Sequence, residues 1–343
     1  MVKGWVLAMT AVTTAGSAVA EQRWLGAQER LTATGRLTEF GLPHPVSSPT
    51  TIALAADGTV WFTESNGNRI GRMSPDGADL TEFDVPTAES APRIIALGAD
   101  GNMWFSEHLA GKMARITPEG RITEFELPTA DSQPRAIALG ADGNIWFGMF
   151  AAGKIGRITP AGAVTEFAIP TPNSGPRALA AGADGNIWFS EFHASKIGRI
   201  TPQGQITEFA LPHPGSGPGD ITAGADGALW FLELNGTIDA RVVTGNRVGR
   251  ITLEGDITEY PIPSPTGSPT NVAVGPDRNV WYTKGAALGR VAADGTITEF
   301  PLGANARAVG LTAGSDRQPP SRLANRLWYA DGNGNKIGYL AFD

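Results

Sequence analysis

Apolar and polar positions alternate along the chain in short runs, broken at regular intervals by Gly, Pro and Asp. Between Pro134 and Pro176 four such runs follow one another: Arg135-Ala-Ile-Ala-Leu-Gly, Ile145-Trp-Phe, Ile155-Gly-Arg-Ile and Val164-Thr-Glu-Phe. The Asp-Gly of Ala141-Asp-Gly-Asn, ahead of an alternating run, is a strong hairpin signal, and Thr159-Pro-Ala-Gly places Pro and Gly where a tight turn needs them. Four short antiparallel strands are therefore predicted in this unit. The array contains no sustained 3.6-residue apolar period, which argues against helical repeats of similar length.

The unit recurs. An apolar residue followed by Trp and then Phe or Tyr occurs at Trp61, Trp104, Trp146, Trp188, Trp230, Trp281 and Trp328, with successive first intervals of 43, 42, 42 and 42 residues. Four strands in roughly 42 residues is the signature of a propeller blade. The fourth-strand motif Thr-Glu-Phe/Tyr is offset from this series: its first copy, Thr38-Glu39-Phe40, precedes Trp61, and none follows Trp328. The fold expected is thus all-β, a seven-bladed β-propeller in which Arg36-Leu-Thr-Glu-Phe40 completes the last blade. Such closure removes exposed sheet edges, whereas an open solenoid needs polar capping repeats that the chain lacks.

Composition agrees with an array. The 44 Gly and 25 Pro of the 343 residues fall at the same offsets in successive units, as turn residues do. The absence of Cys excludes disulfides, thiolate metal sites and a Cys nucleophile. A formal charge of -7, with no basic stripe interleaved with aromatics, argues against nucleic acid as a partner. Lys3, the apolar stretch Trp5 to Ala15 and the small residues Ala18-Val-Ala20 read as a signal peptide over 1–20, too short to span a bilayer permanently. An N-terminal extension over 21–34 and the propeller over 35–343 follow, and a monomer without membrane span, in the periplasm or secreted, is expected.

Going around each blade, the loops joining strands two to three and four to one share one face, the top, while the short regular turns share the bottom. Two charged series reach the top. Arg93, Arg135, Arg177 and Arg307 follow the connectors between blades, and Glu64, Glu107, Glu191, Glu233 and Asp331 follow the signature Trp, with Gly148 and Lys284 as the breaks in that series. The Arg set should ring the channel mouth. These positions are read either as a girdle of Arg–acid pairs or as a site for a small polar or anionic ligand, or a protein partner, since guanidinium suits bidentate contact with carboxylates. His108 and His193 lie on top loops, where a histidine serves as base, metal ligand or merely solvated side chain. His44 and His213 sit in Leu-Pro-His-Pro connectors and read as connector repeats. Blade five carries an enlarged loop, Leu234 to Asn246, placed to act as a lid, and blade seven an insertion, Ser315 to Asn325, on the bottom.

Units such as Gly185-Asn-Ile-Trp-Phe-Ser-Glu, Lys196-Ile-Gly-Arg-Ile-Thr-Pro and Gly204-Gln-Ile-Thr-Glu-Phe-Ala-Leu-Pro resemble those of the virginiamycin B lyase (streptogramin lyase) family, over about residues 35 to 343. That resemblance implies a lyase that opens a cyclic depsipeptide by Mg2+-assisted elimination. The family pattern has Pro-His in blade six, Glu-Pro-His in blade seven and Glu soon after the last Trp-Phe. Here the corresponding residues are Pro269-Thr270, Asn305-Ala306-Arg307 and Asp331. Arg307 cannot inherit a base's role, and Asp331 alone keeps a carboxylate as a candidate metal ligand. Two functions follow: an exported C–O lyase acting on depsipeptide or ester-type substrates, with His108 and Glu107 as candidate catalytic residues, or a non-catalytic propeller. The latter binds its ligand through Arg93, Arg135, Arg177, Arg307, Glu64, Glu191, Glu233 and His193. A six-bladed lactonase-like metalloenzyme is disfavoured by the count of seven.

Overall fold

The computed structural model describes residues 25–342 apart from 33–34, 235, 239–240, 244–245, 265–266, 303–305 and 314–324. The expected signal peptide over 1–20 lies outside the described residues, as does nearly all of the blade-seven insertion. Among the described residues the chain forms strands and no helix. Blade two shows the pattern, with Pro92–Leu97, Met103–Glu107, Lys112–Ile116 and Ile122–Glu126 each paired antiparallel to the next. The first strands of neighbouring blades pack side by side around the axis, and that of blade seven meets that of blade one, so the ring of seven blades is closed.

The seam lies where the sequence places it. Gly35–Gly41 pairs antiparallel with Lys336–Ala341, Arg36 opposite Ala341 and Gly41 opposite Lys336. A further strand, Leu25–Thr32, pairs on its outer side, so this sheet has five strands. That strand falls in the segment read only as an extension. In blade five the enlarged loop contains a small hairpin, Gly236–Ile238 with Arg241–Val243.

The signature residues form the wall between blades. Trp104 stacks on Phe125 with ring centroids 5.3 Å apart, and in blade seven Trp328 stacks on Phe40 from the other end of the chain at 6.4 Å. Such pairs are worth about 0.5–1.5 kcal/mol beyond burial. Arg115 lies 5.5 Å over the Trp104 ring and donates to the Pro160 carbonyl of the next blade at 2.8 Å. The Trp104 indole N–H donates to Asp100 of the Asp-Gly turn at 3.2 Å, which ties the turn to the core. Strand pairing also corrects one alignment: Pro134 opposes Met149, as Pro92 opposes Glu107, so Met149 rather than Gly148 stands at the acid position of blade three.

Candidate functional site

In blades one to six the connector ends in a Pro that begins the first strand, and the residue after it points toward the axis; blade seven has Ala308 at the Pro position, with Arg307 just before it. In blades two, three and four the residue after the Pro is Arg93, Arg135 or Arg177. These three and Arg307 line one cavity of about 420 Å³ at the top of the channel. No Arg–acid ion pair holds them among the described residues. Arg135 instead lies 4.9 Å over the ring of Phe150, and Arg177 lies 5.1 Å over Phe192. Burial and mutual repulsion weaken their hold on their protons, but a guanidinium stays charged at neutral pH.

The mouth is uneven. Blades two to four supply the cations, and outside the lining residues His193 lies between Phe150 and Phe192 at 5.2 Å from each. Blades one and six supply hydroxyls and amides: Thr50, Thr51, Thr270 and Asn271. Thr270, at the place of the family's histidine, is bonded to Thr283 at 2.6 Å. Asp220 is the one acid among the described lining residues; it accepts from the Val272 N–H at 2.9 Å and Asn271 Nδ2 at 3.1 Å, and burial pushes its carboxyl up.

His108 lies beside Arg93 and Arg135, outside the residues that line the cavity. Its Nδ1 is buried without a hydrogen-bond partner, and burial followed by the two guanidinium charges lowers its pKa to about 4. The imidazole is therefore neutral at pH 7. Its sequence neighbour Glu107 faces elsewhere, and so do Glu64, Glu191 and Glu233. All four are buried ends of second strands, covered by the incoming connector, and none lines the mouth. The Arg–acid girdle expected from spacing is thus not formed, because alternation along strand two turns these carboxyls beneath the connectors, toward strand four.

There they belong to a clasp built in most blades. In blade two the connector residue Thr87 donates its N–H and hydroxyl to Glu124, both at 2.9 Å, and Lys112 reaches the same carboxylate at 3.4 Å. Thr129 with Glu166 and Thr171 with Glu208 repeat it. In blades one and five the connector residue is His44 or His213, bonded to or touching Glu82 or Glu259, and the cation is Arg69 or Arg247. In blade six Lys284 takes the acid's place and donates to Ser264 Oγ at 2.7 Å. The signal was available: in blades one to six the Glu of the Thr-Glu-Phe/Tyr motif is the acceptor, and the residue after the connector's Leu/Ile/Val-Pro is its partner.

Mg2+ takes octahedral oxygen ligation and usually engages one or two carboxylates. Asp331 Oδ1 already accepts from the N–H of Arg307 at 2.8 Å and of Gly334 at 2.9 Å, Asp220 is likewise held, and four guanidiniums surround the space. These residues do not fit a Mg2+ site at the mouth.

The pattern described as the virginiamycin B lyase family matches residues 21–242 and 169–343. A selenomethionine-substituted virginiamycin B lyase from Staphylococcus aureus superposes with a TM-score of 0.82 at 35% identity, over 90% of this chain and 99% of that one. A streptogramin B lyase structure gives 0.81 at 36% identity, over 90% and 97%. A catalytically inactive His-to-Ala variant of the Staphylococcus aureus enzyme, with quinupristin, gives 0.81 at 35%, over 90% and 99%. Virginiamycin B lyase of Bacillus licheniformis is 48% identical over 42 residues, which spans only 14% of that protein's length, about one blade.

Proposed function

The chain belongs to the virginiamycin B lyase family, and from that footing we propose that it is an exported propeller that takes a carboxylate-bearing ligand into its top mouth. One observation carries this: Arg93, Arg135, Arg177 and Arg307 converge on a single cavity whose one acid among the described lining residues, Asp220, faces Arg177 without a close ion pair. Cations held this way attract an anion and offer it bidentate contact. Calorimetric titration with citrate at low salt tests it. Changing Arg135 and Arg177 together to Gln should abolish binding while the fold persists; a double variant that binds as the parent does removes the proposal.

A second reading is that the mouth also performs the elimination. What favours it is His108, neutral and unbonded at Nδ1 beside two arginines. In a C–O elimination from an ester, a base takes the proton next to the carbon bearing oxygen, the C–O bond breaks, and a carboxylate leaves. The leaving group is the anion that this mouth receives. His108 is the base in this reading, and Glu107, covered by its connector, has no part in it. Quinupristin incubated with the protein, with and without Mg2+, should be linearised, and His108→Ala should lose that turnover. Intact quinupristin in both incubations leaves the binding function alone. Export rests on Lys3, the apolar stretch and Ala18-Val-Ala20; the intact mass of protein from the native periplasm or medium should begin at Glu21, and retention of Met1 there refutes it.

A further inference from the structure

We propose that blade five holds a site for a divalent transition metal of the zinc class, made by His213, Glu233 and Glu259. The three come from separate elements: the connector entering the blade, the end of strand two and strand four. One donor atom from each lies within 4.8 Å of the others. The cluster lies outside the mouth and does not depend on what the mouth binds.

Glu233 is fully buried, and neither of its carboxylate oxygens has a hydrogen-bond partner among the described residues. Glu259 Oε1 is likewise without one. His213 Nδ1 approaches Glu259 Oε2 to 2.6 Å, but not along a hydrogen-bonding direction. A buried acid in this state is costly as the carboxylate unless a cation meets it. A cation among the three groups answers all of them at once. Bonds of about 2.0–2.2 Å to imidazole nitrogen and carboxylate oxygen in a tetrahedral arrangement place donors roughly 3.3 Å apart, so side-chain rotations within the present spread suffice.

The other blades provide internal controls. Glu107 and Glu191 are also buried and unbonded, but blades two and four offer Thr87 and Thr171 where blade five has an imidazole. Blade one does have His44, but there Arg69 Nη2 donates to Glu64 at 3.2 Å and occupies the acid. In blade five the nearest contact of Arg247 to Glu259 is 3.9 Å, beyond hydrogen-bond length. An imidazole combined with carboxylates suits zinc better than Mg2+ or Ca2+. Set at the root of the Gly236–Val243 hairpin, the ion joins connector, second strand and fourth strand, a structural role.

The test uses tag-free protein dialysed against chelator and titrated with Zn2+ alone. The parent should take up one equivalent, with the thermal midpoint rising by several degrees, as ligand binding to the folded state requires. His213→Thr with Arg247→Lys rewrites blade five as blade two, and should fold with the metal-free midpoint of the parent while binding Zn2+ at least tenfold more weakly. Glu233→Gln, close in shape, should do the same if the double variant misfolds. No saturable uptake by the parent, or parental affinity in a folded variant, overturns the site.

Discussion

Glu107 and Glu191 end their strands with carboxyls that solvent does not reach. Burial, and after it the charges of Glu124 and Glu208, raises them from 4.5 to about 7 and about 8. Folding therefore favours their protonated forms. The stability they contribute is present in full below about pH 4.5 and lost as pH rises toward 7 and 8. Thermal midpoints measured across that window should fall, and Glu107→Gln with Glu191→Gln should flatten the slope; a double variant with the parent's slope assigns the loss to other groups. At this scale the sequence was half legible. Arg93, Arg135 and Arg177 kept a fixed register after Pro, Arg307 stands two positions earlier against its own strand, and all four line one cavity. The glutamates kept an equally fixed register after Trp, but which side of a strand meets a cavity depends on the path of the connector above it, and spacing carries no record of that path.

Among elements, the closing strand Gly35–Gly41 was readable because it carries a complete fourth-strand motif. Its Phe40 stacks on Trp328, and its Glu39 accepts from the Tyr329 hydroxyl at 2.8 Å and from Lys336 at 3.2 Å. Removal of residues 21 to 41 takes away these contacts and bares a sheet edge. The expected outcome is a large drop in the thermal midpoint, and an unchanged melting curve contradicts closure. Leu25–Thr32 was not readable. It carries neither signature motif, and adding a strand to a sheet edge is done by backbone hydrogen bonds, which ask little of the side chains. The His–Arg and Thr–Lys versions of the clasp were on view in the connectors as well. Repetition made them look like filler, whereas repetition of a paired exchange, His with Arg and Thr with Lys, is what contact across 25 to 34 residues leaves behind.

For the whole molecule, seven near-identical blades would give a mouth with no preferred direction. The departures supply one: cations on blades two to four, hydroxyls and amides on blades six and one. In a chain of net charge -7, four arginines meet at one cavity, and a cleft lined by one sign of charge concentrates ions of the other. The seam has a mechanical consequence. Gly35–Gly41 seals the ring but is not the outermost strand of its sheet; Leu25–Thr32 is. Tension or fraying that starts at the N-terminus must peel that outer strand away before it reaches the seal. The open edge of this sheet is therefore that of Leu25–Thr32, and the closing strand has a neighbour on either side.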